Sequence, residues 1–277
     1  MNKFQIIVPT QNSYKVIGKL IKSIKDQTYK HWSVIFIDGK SNKTHINYLK
    51  EVCAKDKRFS YLKQNKKHKG IFGAMNQGLE DLEKNSWVLF WGSDDWVYGK
   101  NTFKKMNIYL NKLSHLNLDL LICKGKYFKM NGTFYKDTFF SNNLKNKKIT
   151  LAEYKKLLFL GLTPPHQSTL MHLSLFSSAF KYNDEYFLTG DLDFFCRLTN
   201  KTNLSAFILD LFLVSMSCGG VSSRNHLQRF SEVKKSYTNL SKNLYMIPFF
   251  LRYLLKILKL SWQIFFFLGV VPELENT

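Results

Sequence analysis

An α/β fold on a mostly parallel sheet is predicted by three features of the sequence. Short β-prone runs alternate with helical stretches through the first hundred residues, the pattern of strands joined by crossover helices. The run WVLFW at residues 87–91 is wholly apolar, as a strand buried on both faces must be. The strand-like runs end on Pro9, on Asp38 and just before Asp94 and Asp95, so polar groups gather where open α/β sheets bind ligands.

Residues 4–8 form the first strand, stopped by Pro9, and residues 14–27 a helix with Val16, Ile17, Leu20, Ile21 and Ile24 at helical spacing. A strand at 33–37, a helix at 44–54, a strand at 59–62 and a helix at 71–83 precede the apolar strand. Beyond Asp95 the pattern loosens into a helix at 101–113, a strand at 118–123 and a hairpin at 126–135 turning on Asn131 and Gly132. A helix at 151–160, a break at Pro164 and Pro165, a strand at 167–171, a helix at 191–198 and an apolar stretch at 204–217 complete the body. Residues 1–230 are expected as one domain, with a nucleotide-binding half at 1–100 and an acceptor half at 101–230, and residues 231–277 as a helical appendage.

The chain has 277 residues and a net charge of +21, and only five of its 41 basic residues are Arg. Clusters such as Lys66, Lys67, His68, Lys69 and Lys145, Lys147, Lys148 lack any finger, basic zipper or aromatic RNA-binding pattern, so nucleic acid is not expected as a partner. An anionic lipid surface suits the charge better. Cys53, Cys123, Cys196 and Cys218 have no metal-binding spacing and fit reduced cysteines of a cytosolic protein. The first apolar run is too short for a signal peptide and leads straight into a strand.

From residue 244 to 271 an apolar segment carries Arg252, Lys256, Lys259 and Gln263 at i, i+4, i+7 and i+11, one stripe of a helix. Such a stripe is costly in a spanning helix and suits one lying in the headgroup layer, giving a cytoplasmic protein peripheral to the inner face of the membrane. A helix packed on the protein's own core with its lysines outward has the same pattern.

Read alone, Asp38, Asp94 and Asp95 are ordinary turn formers or helix caps, and Asp191 an ordinary carboxylate at a helix start. Together, VPTQN at 8–12, IDGKS at 37–41, KGIFGAMNQG at 69–78, GSDDW at 92–96 and GDLDFFCRL at 190–198 resemble, in order, the motif series of glycosyltransferase family 2. The likeness is strongest to the bacterial branch that builds capsular, exopolysaccharide and lipopolysaccharide-type glycans. It covers roughly residues 3–225, and the ordered set is more specific than any one motif.

The resemblance implies a GT-A fold, a nucleotide-diphosphate sugar donor, a lipid-linked or cell-surface glycan acceptor, a divalent cation (Mn²⁺ or Mg²⁺) and inversion at the anomeric carbon. It implies that Pro9 and Thr10 border the nucleotide, that Asp38 holds a uracil-type base or its ribose, and that Asn76 lies beside the donor. Asp94 and Asp95 correspond to the metal-binding pair, Asp95 as the direct ligand, and Asp191 to the catalytic base. A carboxylate there would take the proton of the attacking hydroxyl. Further contacts to acceptor or diphosphate are expected from His166 and Gln167 after the proline break, from Arg197 unless it pairs with a carboxylate, and from Arg224 and His226 in a loop opened by Gly219 and Gly220.

The sequence departs from the family pattern at Lys43, commonly acidic, at Lys40, commonly Gly, and at His68 and Gly73, often acidic. Two other readings compete. A sugar-nucleotide pyrophosphorylase would carry a Gly-rich, Arg-containing phosphate loop after its first strand, which VPTQNSYK lacks. A non-catalytic basic protein binding membrane or nucleic acid would need no ordered acidic series.

Overall fold

A computed structural model describes residues 1–177, 180–219, 225–241, 244 and 246–254. The α/β expectation holds, and the sheet is mixed. Ten strands follow the order β3-β2-β1-β4-β9-β6-β10-β5, with β7 beside β6 and β8 beside β10. The N-terminal strands β1 (Phe4–Thr10), β2 (Trp32–Asp38), β3 (Phe59–Lys63) and β4 (Trp87–Phe90) pair in parallel, as do β6 (Leu120–Phe128) and β10 (Ala206–Ser217). Antiparallel pairing enters through β5 (Trp96–Val97), β7 (Phe134–Thr138), β8 (Lys147–Ile149) and β9 (Thr169–His172). Strands as short as β5 and β8 carry too few residues to show a period, and neither is evident in the sequence.

Both faces of the sheet are covered. Phe4, Ile6 and Val8 of β1 meet Ile17, Leu20 and Ile24 of α1 (Tyr14–Lys25), Leu49 of α2 (Lys43–Lys55) and Phe103 and Met106 of α4 (Thr102–Lys112) in one core. Ile7 points the other way, toward Phe72 and Met75 of α3 (Gly70–Gly78), Tyr154 of α5 (Leu151–Phe159) and Phe194 of α6 (Gly190–Arg197). This two-sided burial explains why β1 reads as an unbroken apolar run. The last turn of α3 presses on β1: a Cβ on Gly78 would lie 2.6 Å from Ile7 Cγ2. Helical residues expected to run on to 83 stop there.

Helix α7 (His226–Ser241) runs through residue 230, the expected start of the helical appendage, and its Val233 and Tyr237 share a small core with Leu192 and Cys196 of α6 and with Phe249. Residues 246–254 are helical and pack on this core. Arg252, expected on a solvent-facing stripe, turns inward: its Nη1 donates to the Gly161 carbonyl at 3.0 Å and to Thr163 Oγ1 at 2.5 Å. The apolar residues Leu244, Ile247, Phe250 and Leu254 face outward instead. Lys256, Lys259 and Gln263 lie outside the described residues. Among the described residues no helix is long and apolar enough to cross a membrane.

Candidate active site

The registers of β1, β2 and β4 bring their C-terminal ends to one edge, with Thr10 opposite Asp38 and Ile7 opposite Phe90. Asp38 is buried, and its Oδ2 accepts from the Ser41 N–H at 3.1 Å and from the Tyr61 hydroxyl at 3.4 Å. Its Oδ1 is buried with no partner among the described residues, an acceptor left for a ligand N–H or O–H. Beneath it His45, on the first turn of α2, is fully buried with Nε2 2.9 Å from Thr10 Oγ1. Burial holds this imidazole below its usual pKa, against the opposing pull of Asp38, so it is neutral at pH 7.

Lys40 and Lys43, the two lysines that depart from the family pattern here, are both exposed at the rim of this pocket. Lys40 has φ +69°, a left-handed conformation that explains the glycine common there. Gly73 has a steric reason as well. A Cβ on it would come within 2.6 Å of the His68 carbonyl carbon, so a carboxylate side chain has no room while His68 holds its place. His68 Nε2 lies 3.1 Å from Glu80 Oε1.

The turn from β4 into β5 carries the adjacent aspartates. Ser93 Oγ donates to the Pro9 carbonyl at 3.4 Å, tying this turn to the end of β1. The Gly92 N–H donates to Asp95 Oδ2 at 2.7 Å, and a Cβ on Gly92 would meet Asp94 Oδ1 at 2.9 Å and Asp95 Oδ2 at 3.3 Å. Both carboxylates therefore close over one glycine. Burial raises the pKa of Asp94. Burial, then the neighbouring Asp94, pushes Asp95 well above the ordinary carboxylate range.

Among the described residues no Lys or Arg pairs with either carboxylate, so the charge deficit is of the kind a hard cation corrects. No cluster of three or more His, Cys, Asp or Glu side chains stands ready as a metal cage among the described residues. A cation held by this pair would complete its shell with water and ligand oxygens, the usual habit of Mg²⁺ beside phosphates. The residues present fit such an ion.

Asp191 lies half-buried in the first turn of α6. It shares a neighbour with the aspartate pair: burial raises the Tyr127 hydroxyl to about 12, with added contributions from Asp95 and then Asp191. Tyr127, near the end of β6, thus feels both carboxylates and remains a protonated phenol. Three contacts fix the region around Asp191. Gly190 abuts Phe72, where a Cβ would come within 2.7 Å of the ring; Asn76 holds the Tyr182 backbone; and Glu232 of α7 grips residues 187–189.

The other predicted residues divide clearly. Asn76 uses both ends of its amide on the Tyr182 backbone, donating to its carbonyl at 2.8 Å and accepting its N–H at 2.9 Å. His166 is buried, stacked on Phe90, and bonded through Nε2 to the Tyr182 hydroxyl at 2.8 Å. Burial lowers its pKa against an opposing effect of Asp191, which makes it a neutral core imidazole. Gln167 offers its carbonyl to the Trp91 indole N–H at 2.8 Å. Arg197 takes the carboxylate alternative, with Nε 2.7 Å from Asp193 Oδ2. His226 is the exposed first residue of α7, and Arg224 lies outside the described residues.

Sequence reasoning missed His45, Tyr61, Tyr127, Tyr182 and Glu232. Only Glu232 had a legible signal: Leu227, Phe230, Val233, Tyr237 and Leu240 recur at helical spacing around it.

The sequence model for glycosyl transferase family 2 matches residues 5–176. A PGL/p-HBAD biosynthesis glycosyltransferase of Mycobacterium tuberculosis is 25% identical over 225 residues, covering 79% of each chain. Among solved structures, TarS 1–349 of S. aureus superposes with a TM-score of 0.62 at 19% identity, over 86% of this chain and 65% of that one. The present chain thus spans just under two thirds of that fragment, which has also been solved with UDP-GlcNAc, and 43% of the longer TarS chain. The mannosyltransferase PcManGT of Pyrobaculum calidifontis, solved with GDP-Man and Mn²⁺, superposes with a TM-score of 0.59 at 11% identity, over 91% of this chain and 69% of that one. At these identities both structures establish a shared GT-A fold.

Proposed function

The chain belongs to glycosyl transferase family 2, and from that premise we propose that it moves a sugar from a uridine diphosphate donor to a hydroxyl of a lipid-linked or cell-surface glycan, inverting the anomeric carbon. The observation that carries this reading is a pair of buried acidic groups, Asp38 and Asp95, at the ends of strands that flank β1, with Asp191 acting on the same tyrosine as Asp95. Asp38 has a buried oxygen to spare, Asp95 lacks a counter-ion, and Asp191 shares Tyr127 with Asp95. A uracil ring offers one N3–H to such an acceptor, and the similar fold of TarS has been solved with UDP-GlcNAc.

In this mechanism Thr10 and Pro9 border the base while Asp38 orients it. Asp95, supported by Asp94, would hold Mn²⁺ or Mg²⁺, which when bound supplies positive charge against the diphosphate. Asp191 accepts the proton of the acceptor hydroxyl as that oxygen forms its bond to the anomeric carbon. The bond from that carbon to the diphosphate oxygen breaks, and its electron pair leaves with the nucleoside diphosphate. Attack comes from the face opposite the leaving group, hence the inversion. His45, neutral beneath Asp38, leaves the nucleotide pocket without a competing buried cation.

The direct test is a panel of nucleotide sugars scored by melting temperature in Mn²⁺, since a ligand bound to the folded state raises it. Uridine diphosphate sugars are expected to give the largest rise; equal response to all bases would remove the assigned role of Asp38.

We further place the enzyme at the anionic inner face of the cytoplasmic membrane. The support is the net charge of +21 together with the outward side of residues 244–254, where Leu244, Ile247, Phe250 and Leu254 are exposed, beside exposed Leu227 and Phe230. Replacing Ile247 and Leu254 with Glu together removes exposed apolar surface while Phe249, Phe250 and Arg252 are left unchanged. Co-sedimentation with phosphatidylglycerol vesicles is expected to fall by about tenfold or more. Undiminished sedimentation would reject this surface as the anchor.

A further inference from the structure

We propose that Glu232 is a positioning residue for the catalytic base, a role that rests on the reading of Asp191 as that base. Glu232 comes from α7, a helix absent from the motif series, yet its carboxylate is spent almost wholly on the turn that precedes Asp191. Oε1 accepts from the Phe187 N–H at 3.0 Å; Oε2 accepts from the N–H groups of Leu188 and Thr189, both at 2.9 Å, and from the Thr189 hydroxyl at 3.3 Å. Gln228, one turn earlier, donates to Oε1 at 3.1 Å. Three consecutive backbone N–H groups thus converge on one anion.

Such a grip does more than satisfy donors. Helix α6 has no side-chain cap of its own: Thr189, its N-cap residue, makes no capping hydrogen bond to the helix, and Asp191 is only two residues further on. The helix start is pinned on one side where Gly190 meets Phe72, and the chain entering it is pinned on the other by Glu232. Two further ties hold α7 in place, Asn239 to Asp193 Oδ1 of α6 at 3.4 Å and Lys235 to Glu185, in the segment before α6, at 3.2 Å. Charge-assisted bonds to backbone N–H groups are shorter and stronger than neutral ones, so this clamp fixes the turn more tightly than packing alone. A base displaced by a fraction of an ångström loses alignment with the acceptor hydroxyl, whereas donor binding, made by β1, β2 and the β4–β5 turn, is left intact.

The test is Glu232→Gln in the full chain, with Thr238→Ala on the exposed side of α7 as the control. Gln preserves size but sets an NH₂ where an oxygen now accepts N–H groups. The expected result is a fall in kcat of roughly tenfold or more, a donor KM within about twofold of wild type, and faster hydrogen exchange of the 187–189 amides. Thr238→Ala is expected to match wild type in all three. Accelerated exchange with an unchanged kcat overturns the proposal, because the clamp would then be structural only. Should Glu232→Gln fail to fold, Glu232→Asp draws the charge back by one methylene, and an unchanged kcat there is equally fatal. Asp191→Asn run in parallel separates the two ideas. Transfer retained in that variant refutes the base, whereas transfer lost there with wild-type kcat in Glu232→Gln refutes only the clamp.

Discussion

Asp191→Asn is expected to lower glycosyl transfer by roughly 10²–10⁴-fold, the usual contribution of a positioned general base, while leaving the affinity for the nucleotide in Mn²⁺ unchanged. Asn keeps the shape of the side chain but cannot take up the hydroxyl proton. Neither His166 nor Tyr127, both of which feel its charge, can replace it: His166 is buried and committed to Tyr182, and Tyr127 holds its proton to about pH 12. Rate measured by nucleoside diphosphate release with acceptor present, and binding measured by calorimetry, separate the two quantities. A variant that transfers at the wild-type rate would falsify the assignment.

Asp95→Asn is expected to act in the opposite sense on stability and on binding. In the metal-free protein the folded-state pKa of Asp95 lies well above its unfolded value, so between those two values the folded state binds more protons than the unfolded one. Stability must then fall as the pH rises through that window, so a metal-free fold at pH 7 is less stable than one near pH 4. Asn removes the charge while its amide oxygen can still accept the Gly92 N–H now held at 2.7 Å. The metal-free variant should therefore melt higher than wild type at pH 7, and the two should converge toward pH 4. Mn²⁺ with nucleotide should stabilise wild type and have little effect on the variant. A wild type that melts no lower at pH 7 than at pH 5 without metal would contradict the picture of an uncompensated buried charge.

Much of this was legible in the sequence because the residues concerned act where they stand along the chain. Asp38 and Asp95 follow apolar strands directly, and a parallel sheet aligns the ends of such strands whatever the details of packing. Residues whose roles depend on distant partners were not legible. Asn76 and His166 look like donor or acceptor contacts by position but are engaged by Tyr182, which lies 106 and 16 residues away respectively. Tyr127 comes within the influence of both carboxylates only through the pairing of β6 with β10, which no local pattern announces. Arg252 shows the limit of periodicity: one charged stripe fits solvent, lipid or a buried carbonyl, and here Gly161 supplies the carbonyl.

The grip of α7 on the turn before Asp191 also bears on how the chain comes to be made. The family match ends at residue 176, and both Asp191, the proposed base, and Glu232, its proposed clamp, lie after it. As the chain leaves the ribosome from its N-terminus, the strand ends that would hold the nucleotide emerge first, and the helix carrying Glu232 emerges among the last of the described elements. At ordinary elongation rates the ~150 residues between Asp95 and the end of α7 take roughly 7–30 s to appear. On the proposed reading, a nascent chain carries its donor-binding residues before it has an aligned base, so transfer begins only once α7 has emerged and packed on the turn before Asp191.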